Sequence, residues 1–140
     1  MIVADTCLVV HLFNETFLTD VAQKIQKKDA SWILPSLWQE EYASVLSKLA
    51  RKESRNIAEV VKHFDYVLNE LRGSEIIVDN RKALKISIEY KISVYDAHFV
   101  GVALDFGVVL VTEDKEVLKN CRAITCSMHD FVKKDLQIKY

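Results

Sequence analysis

The sequence predicts an α/β fold, a three-layer αβα sandwich around a mostly parallel sheet of about five strands. Two observations carry that expectation. Short apolar runs alternate five times with stretches of helical periodicity. Those runs are apolar throughout, as strands covered on both faces are, and crossovers between them place every carboxyl end on one edge of the sheet. There are no repeats, low-complexity tracts or linkers, so residues 1–140 form a single domain.

Ile2-Val3-Ala4 is a minimal strand ending at Asp5. Asp5 and Thr6 cap a short helix with Leu8, Val9, Leu12 and Phe13 on one face. A second helix is expected from about Glu15 to Lys28, with Phe17, Leu18, Val21, Ala22 and Ile25 inward. Trp32 to Leu34 make the next strand, which Pro35 ends. Ser36 and Gln39 read as a capping box, so a helix starts there and continues to about Lys52. Its inward stripe is Leu37, Tyr42, Val45, Leu46 and Leu49. Glu41 lies four after Leu37 and four before Val45, on the buried side, whereas Glu40 falls on the wet side.

Asn56 with Glu59 starts a helix that Gly73 stops. Ile76 to Val78 form a third strand, and Asp79 or Asn80 caps a helix through Tyr90. The next helix carries Asp96 in line with Phe99, Val100, Ala103 and Phe106. Gly107 ends it, because glycine takes the left-handed conformation that follows a last turn. Val108 to Val111 are a buried strand, and Thr112, Glu113 and Asp114 follow directly. A helical turn to Asn120, an edge strand at Ala123–Thr125, and a last helix around Phe131 and Leu136, capped by Ser127 and Asp130, complete the chain. Gly101 inside the Asp96 helix costs about 1 kcal/mol against alanine. Close approach of another backbone is its simplest account.

Composition is that of an ordinary globular protein, with 50% hydrophobic and 28% charged residues. A net charge of −1 gives no global basic field, so a nucleic-acid partner has to be met by a local patch. Three cysteines, an odd number without metal-binding spacing, read as reduced thiols of a cytoplasmic protein. The N-terminus lacks the basic region of a signal peptide, and no apolar stretch approaches the roughly 20 residues a membrane span needs.

Four acids stand apart. Asp5 and Asp114 follow strands directly, Glu41 and Asp96 lie on buried helix sides, and all four are expected near one edge of the sheet. Open α/β sheets place ligands there. Each also has a plainer reading, as a helix cap for Asp5, Asp96 and Asp114, and as a half-buried acid paired with lysine for Glu41. Converging carboxylates raise one another's pKa, and the surrounding sequence supplies no matched set of cations. Hard divalent cations resolve the conflict: Mg²⁺ or Mn²⁺ takes carboxylate oxygen and keeps waters that a phosphate can displace.

In these residues the chain resembles the PIN domain nucleases, over its whole length. The resemblance rests on Asp5-Thr6, on Leu34-Pro35-Ser36-Leu37-Trp38 leading to Glu41, on Val94-Tyr95-Asp96-Ala97, and on Leu110-Val111-Thr112-Glu113-Asp114. It implies a metal-dependent endoribonuclease in which Asp5, Glu41, Asp96 and Asp114 bind Mg²⁺ or Mn²⁺. Thr112 takes the small hydroxyl position beside the last acid. Glu41 and Asp114 are both candidates to deprotonate the attacking water. The compact length looks most like the VapC-type toxins, which implies a homodimer and a small antitoxin partner. Cys7 departs from the small polar residue that is usual after Asp-Thr, and a thiol is a weak hydrogen-bond partner.

Lys48 and Arg51, on the helix that carries Glu41, are candidates for holding RNA phosphates, with a solvated face as the plainer alternative. Trp38, Tyr42 and Phe13 suit either a partner or the core. The histidines lack metal-ligand spacing, and His98 points away from Asp96. No GxSxG, GxxxxGK[ST] or GxGxxG motif is present. Two alternatives differ in class: a catalytically silent module binding RNA or protein on the same fold, and a phosphatase or receiver-like domain. The second is disfavoured because Asp5 has no acidic neighbour.

Overall fold

The computed structural model describes residues 1–138, with side chains to residue 134; the place of Leu136 in the last helix's apolar face lies outside the described side chains. The chain runs β1 (Ile2–Ala4), α1 (Thr6–Phe13), α2 (Thr19–Lys28), β2 (Trp32–Pro35), α3 (Trp38–Glu53), α4 (Ile57–Glu70), β3 (Glu75–Ile76), α5 (Asn80–Tyr90), α6 (Val94–Phe106), β4 (Leu110–Val111), α7 (Lys115–Asn120), a 3-10 turn (Arg122–Ile124), β5 (Thr125–Cys126) and α8 (Met128–Ile138). The five strands form one sheet in the order β3-β2-β1-β4-β5, and every pair is parallel. Helices flank it, giving the three-layer α/β/α sandwich.

From β1 the chain builds outward through β2 to β3, then returns to place β4 on the other side of β1. The strand order therefore reverses between β1 and β4. Crevices open at such a reversal, past the carboxyl ends of the strands. Val3 pairs with Leu110 and Ala4 with Val111, so Asp5 and Thr112 leave the sheet side by side.

Strands this short gain their stability from burial. Ile2, Val3, Ala4, Leu34, Leu110 and Val111 are essentially excluded from solvent, and α6 packs across β1, β2 and β4 with Ala97, Phe99, Val100, Val102 and Ala103 buried. Fully burying one of the valine, leucine, isoleucine or phenylalanine side chains contributes about 1.5–3 kcal/mol. Phe106, expected on the same stripe, is 45% exposed, because α6 ends there at Gly107 with φ of 62°.

Several boundaries differ from the sequence reading. The helix α2 starts at Thr19, not Glu15, because Thr16 and Thr19 bond to the local backbone and hold residues 14–18 in a turn. The Thr16 amide donates to Thr19 Oγ1, the Leu18 amide to Thr16 Oγ1, and Thr19 Oγ1 to the Asn14 carbonyl. Leu18 turns inward, and Phe17 is left 90% exposed.

Ser36 and Gln39 form no capping box. The Ser36 amide continues the β2–β3 ladder to Ile76, the Gln39 side chain reaches Glu75, and α3 begins at Trp38 without a side-chain cap. β3 spans Glu75–Ile76 and leaves Ile77 exposed; β4 is reduced to Leu110–Val111; β5 lies at Thr125–Cys126, displaced by the 3-10 turn. Gly101 admits side chains, not another backbone: a Cβ there would meet Ile86 Cδ1 at 3.3 Å. Trp38 and Tyr42 are core residues, fully buried. Asn56 and Asp79 cap α4 and α5 as expected.

Candidate metal centre

The four acids reach one cavity. Asp5, Glu41, Asp96 and Asp114 line a space of about 570 Å³ together with Thr6, Cys7, Val10, His11, Ser44, Val45 and Glu113. Each arrives by a local device that the sequence encodes. Asp5 leaves β1 as the N-cap of α1, its Oδ1 accepting the Thr6 amide at 2.7 Å. Asp114 leaves the end of β4 as the N-cap of α7, its Oδ1 accepting the amides of Glu116 and Val117. Asp96 sits in the first turn of α6, which Ser93 caps through the Asp96 amide. Glu41 rides the first turn of α3. The helix-cap readings of Asp5 and Asp114 are therefore correct as well, with one carboxylate oxygen of each spent on a cap.

Two hydroxyls brace the acids. Thr112, fully buried, donates to Asp5 Oδ2 at 2.5 Å and accepts the Asp114 amide at 3.1 Å. Thr6 donates to Glu41 Oε1 at 2.7 Å and so joins α1 to α3. The sequence suggests Thr6 as a helix cap and part of a motif; in the structure Asp5 is the cap, and Thr6, the first residue of α1, turns its hydroxyl to Glu41 instead. Its position one residue after a strand-ending acid was the available signal. Cys7 stands 3.7 Å from Asp5 Oδ2, the long contact expected of a thiol.

The carboxylates feel one another. Burial pushes Asp96 up to about 6, and the charges of Asp114 and Asp5 push in the same direction. Burial also raises Asp5, against the bonds from Thr112 and Thr6, and Asp114 adds to the rise. Glu41 is raised by burial, against the Thr6 bond, with Asp5 and Asp96 adding. The cavity wall carries no lysine or arginine, and among the described residues none forms an ion pair with these four acids. Like charges gathered without a counter-charge are the chemistry of a hard-cation site. Among the described residues, no three acid, imidazole or thiol groups stand close enough together to form a closed ligand set. The donor set, carboxylates from four separate elements with room for water between them, is of the kind a hard divalent cation takes.

Other predicted residues fall outside. Lys48 and Arg51 are exposed on α3 and absent from the cavity wall, Lys48 one turn beyond Ser44. His98 bonds to the Val94 carbonyl and to Asn80, away from the acids. Glu113 and His11, which the sequence reading did not select, do line the cavity. Glu113 Oε1 accepts the Met128 amide and anchors the start of α8. Burial keeps the His11 pKa below its ordinary value.

The PIN domain family model matches residues 2–123. The fold is also that of a solved structure, the crystal structure of PAE2754 from Pyrobaculum aerophilum. The two superpose with a TM-score of 0.70 at 21% identity, covering 94% of this chain and 93% of that one. No curated protein matches the chain. Among the described residues no helix is long and apolar enough to cross a membrane.

Proposed function

The chain belongs to the PIN domain family, whose members are generally nucleases, and from that premise we propose that it is a metal-dependent endoribonuclease. The observation that carries the reading is the meeting of Asp5, Glu41, Asp96 and Asp114 in one cavity without a cation of their own. These four residues would hold Mg²⁺ or Mn²⁺. When bound, the metal supplies the Lewis acid that lowers the pKa of a water and offsets charge on the phosphate.

The chain's own residues do the positioning. Thr112 fixes the Asp5 carboxylate and the Asp114 backbone in one bond pair, and Thr6 fixes Glu41. Glu41 and Asp114, both on the cavity wall, are the two candidates to take the proton from the attacking water. Lys48 and Arg51 lie beyond the wall on α3 and hold phosphates of the strand further from the cut. Reversing both to glutamate then flattens the salt dependence of RNA binding.

The proposal extends to a VapC-type toxin, homodimeric and held by a small antitoxin in the cytoplasm. Support comes from two exposed apolar pairs at helical spacing, Ile57 with Val61 on α4 and Leu84 with Ile88 on α5. Light scattering tests the dimer. Cleavage of a structured RNA with and without EDTA tests the activity: chelation stops it, and Asp96→Asn removes it. Cutting that survives either change overturns the reading in favour of a contaminating or metal-free activity.

A further inference from the structure

One aromatic side chain next to the cavity has no part in the core. Phe17 is 90% exposed, while its neighbour Leu18 is buried. Its ring meets the edge of the His11 ring at 5.9 Å between centroids and 74° between planes. His11 is itself part of the cavity wall. Phe17 therefore stands one ring beyond the cavity wall, with an open face toward solvent.

The turn that carries it is firmly tied. Thr16 Oγ1 pairs with His11 Nδ1 at 2.7 Å and accepts the Leu18 amide, while Thr19 Oγ1 receives the Thr16 amide and donates to the Asn14 carbonyl. Asn14 in turn donates to the buried Tyr42 hydroxyl of α3 at 2.9 Å. Phe17 is presented on a braced turn, and the imidazole beneath it is held by the same threonine.

We propose that Phe17, backed by His11, is a stacking platform for an unpaired nucleobase next to the scissile phosphate. The inference rests on the cavity being a ribonuclease centre and names how that centre holds its strand. An acidic cavity repels an RNA backbone except through its metal, so affinity beside the cut has to come from an uncharged contact. Aromatic faces supply that contact on single strands, and with little regard to base identity. The rings are continuous with the cavity wall, which places the platform beside the reacting phosphate and not on a remote face.

The test uses the full chain with Phe17→Ala and Phe17→Trp. Phe17 is exposed, so neither change disturbs folding. On a single-stranded oligoribonucleotide, Phe17→Ala raises KM roughly tenfold or more with kcat little changed, and Phe17→Trp restores it. The penalty disappears on an RNA made abasic at the nucleotide flanking the cut, which a merely structural defect would not produce. Independently of catalysis, RNA added with Ca²⁺ quenches the emission of the introduced tryptophan, because native Trp32 and Trp38 are buried. A KM that Phe17→Ala leaves unchanged, or an emission that saturating RNA leaves unchanged, overturns the platform. So does a shift of that emission by a protein partner and not by RNA, which would make Phe17 a protein-docking residue. If the parent cuts no RNA at all, the nuclease reading fails, and the fluorescence arm still decides whether bases stack on residue 17.

Discussion

The Thr112 hydroxyl donates to Asp5 Oδ2 at 2.5 Å, across 107 positions of sequence, where β1 and β4 end side by side. The same oxygen accepts the Asp114 amide. One small side chain therefore sets the direction of two acids that arrive from different strands. Thr112→Val keeps the shape and removes the hydrogen bonds. Support of this kind is worth about 10–100-fold in metal affinity. Mn²⁺ titration by calorimetry is expected to show a loss in that range, with an unchanged fold by circular dichroism. Thr112→Ser is expected to bind close to the parent.

The raised carboxyl of Asp96 gives the metal-free protein a definite pH dependence. A carboxyl whose folded pKa of about 6 exceeds its ordinary 3.8 binds protons more tightly in the folded state. Its contribution to stability is complete below the ordinary value and is lost as pH rises through about 6. Asp96→Asn cannot ionise, so it escapes the loss. Because Asp96 is partly solvated, the gain is about 1 kcal/mol, or about 2–4 °C in Tm. Without metal, the variant is expected to melt above the parent at pH 7.5 and alongside it at pH 4. Excess Mn²⁺ should raise the parent alone.

What was legible in the sequence is what local rules fix. Asp5 and Asp114 come directly after apolar strands, and Glu41 and Asp96 share helix phase with buried neighbours, so the topology alone carries them to one edge. The spacing of Phe17 suits the inner face of a helix, but the side chains of Thr16 and Thr19 compete for the same backbone and leave it outside. Ser36 and Gln39 match a capping box, yet their groups are taken by Ile76 and Glu75 of a strand some 40 positions away. The resemblance selects Asp114 alone of the two adjacent acids after β4, yet both line the cavity, Glu113 with one oxygen accepting the Met128 amide. Long-range pairing decided each of these last two cases.

Gly101 allows a test of the α5–α6 contact. Alanine gains about 1 kcal/mol of helix propensity, but its Cβ meets Ile86 Cδ1 at 3.3 Å. The obstacle is the tip of a side chain, able to move by a few tenths of an ångström inside a packed layer. Gly101→Ala is therefore expected to be slightly stabilising. In an Ile86→Val background, which removes that methyl, the gain from alanine should approach its full value. Equal effects in both backgrounds by urea denaturation would mean that Ile86 does not limit the site.

Thr6 has the same relation to Glu41 that Thr112 has to Asp5, but it bridges two helices. It is 6% exposed, and its hydroxyl is the link by which α1 holds the first turn of α3 in place over the cavity. Valine would preserve the packing while leaving Glu41 with burial and two acidic neighbours to raise its pKa and no hydroxyl to oppose them. A carboxylate has to be ionised to bind a cation, so the loss of Mn²⁺ affinity in Thr6→Val should be greatest at low pH and shrink as pH rises. At pH 6 we expect roughly tenfold weaker binding, consistent with a hydrogen bond to a charged group worth about 1.5–3 kcal/mol. Thr6→Ser retains the donor and should follow the parent across the whole range. A Thr6→Val deficit that is flat with pH, or shared by serine, would assign Thr6 to packing and leave Glu41 oriented by α3 alone.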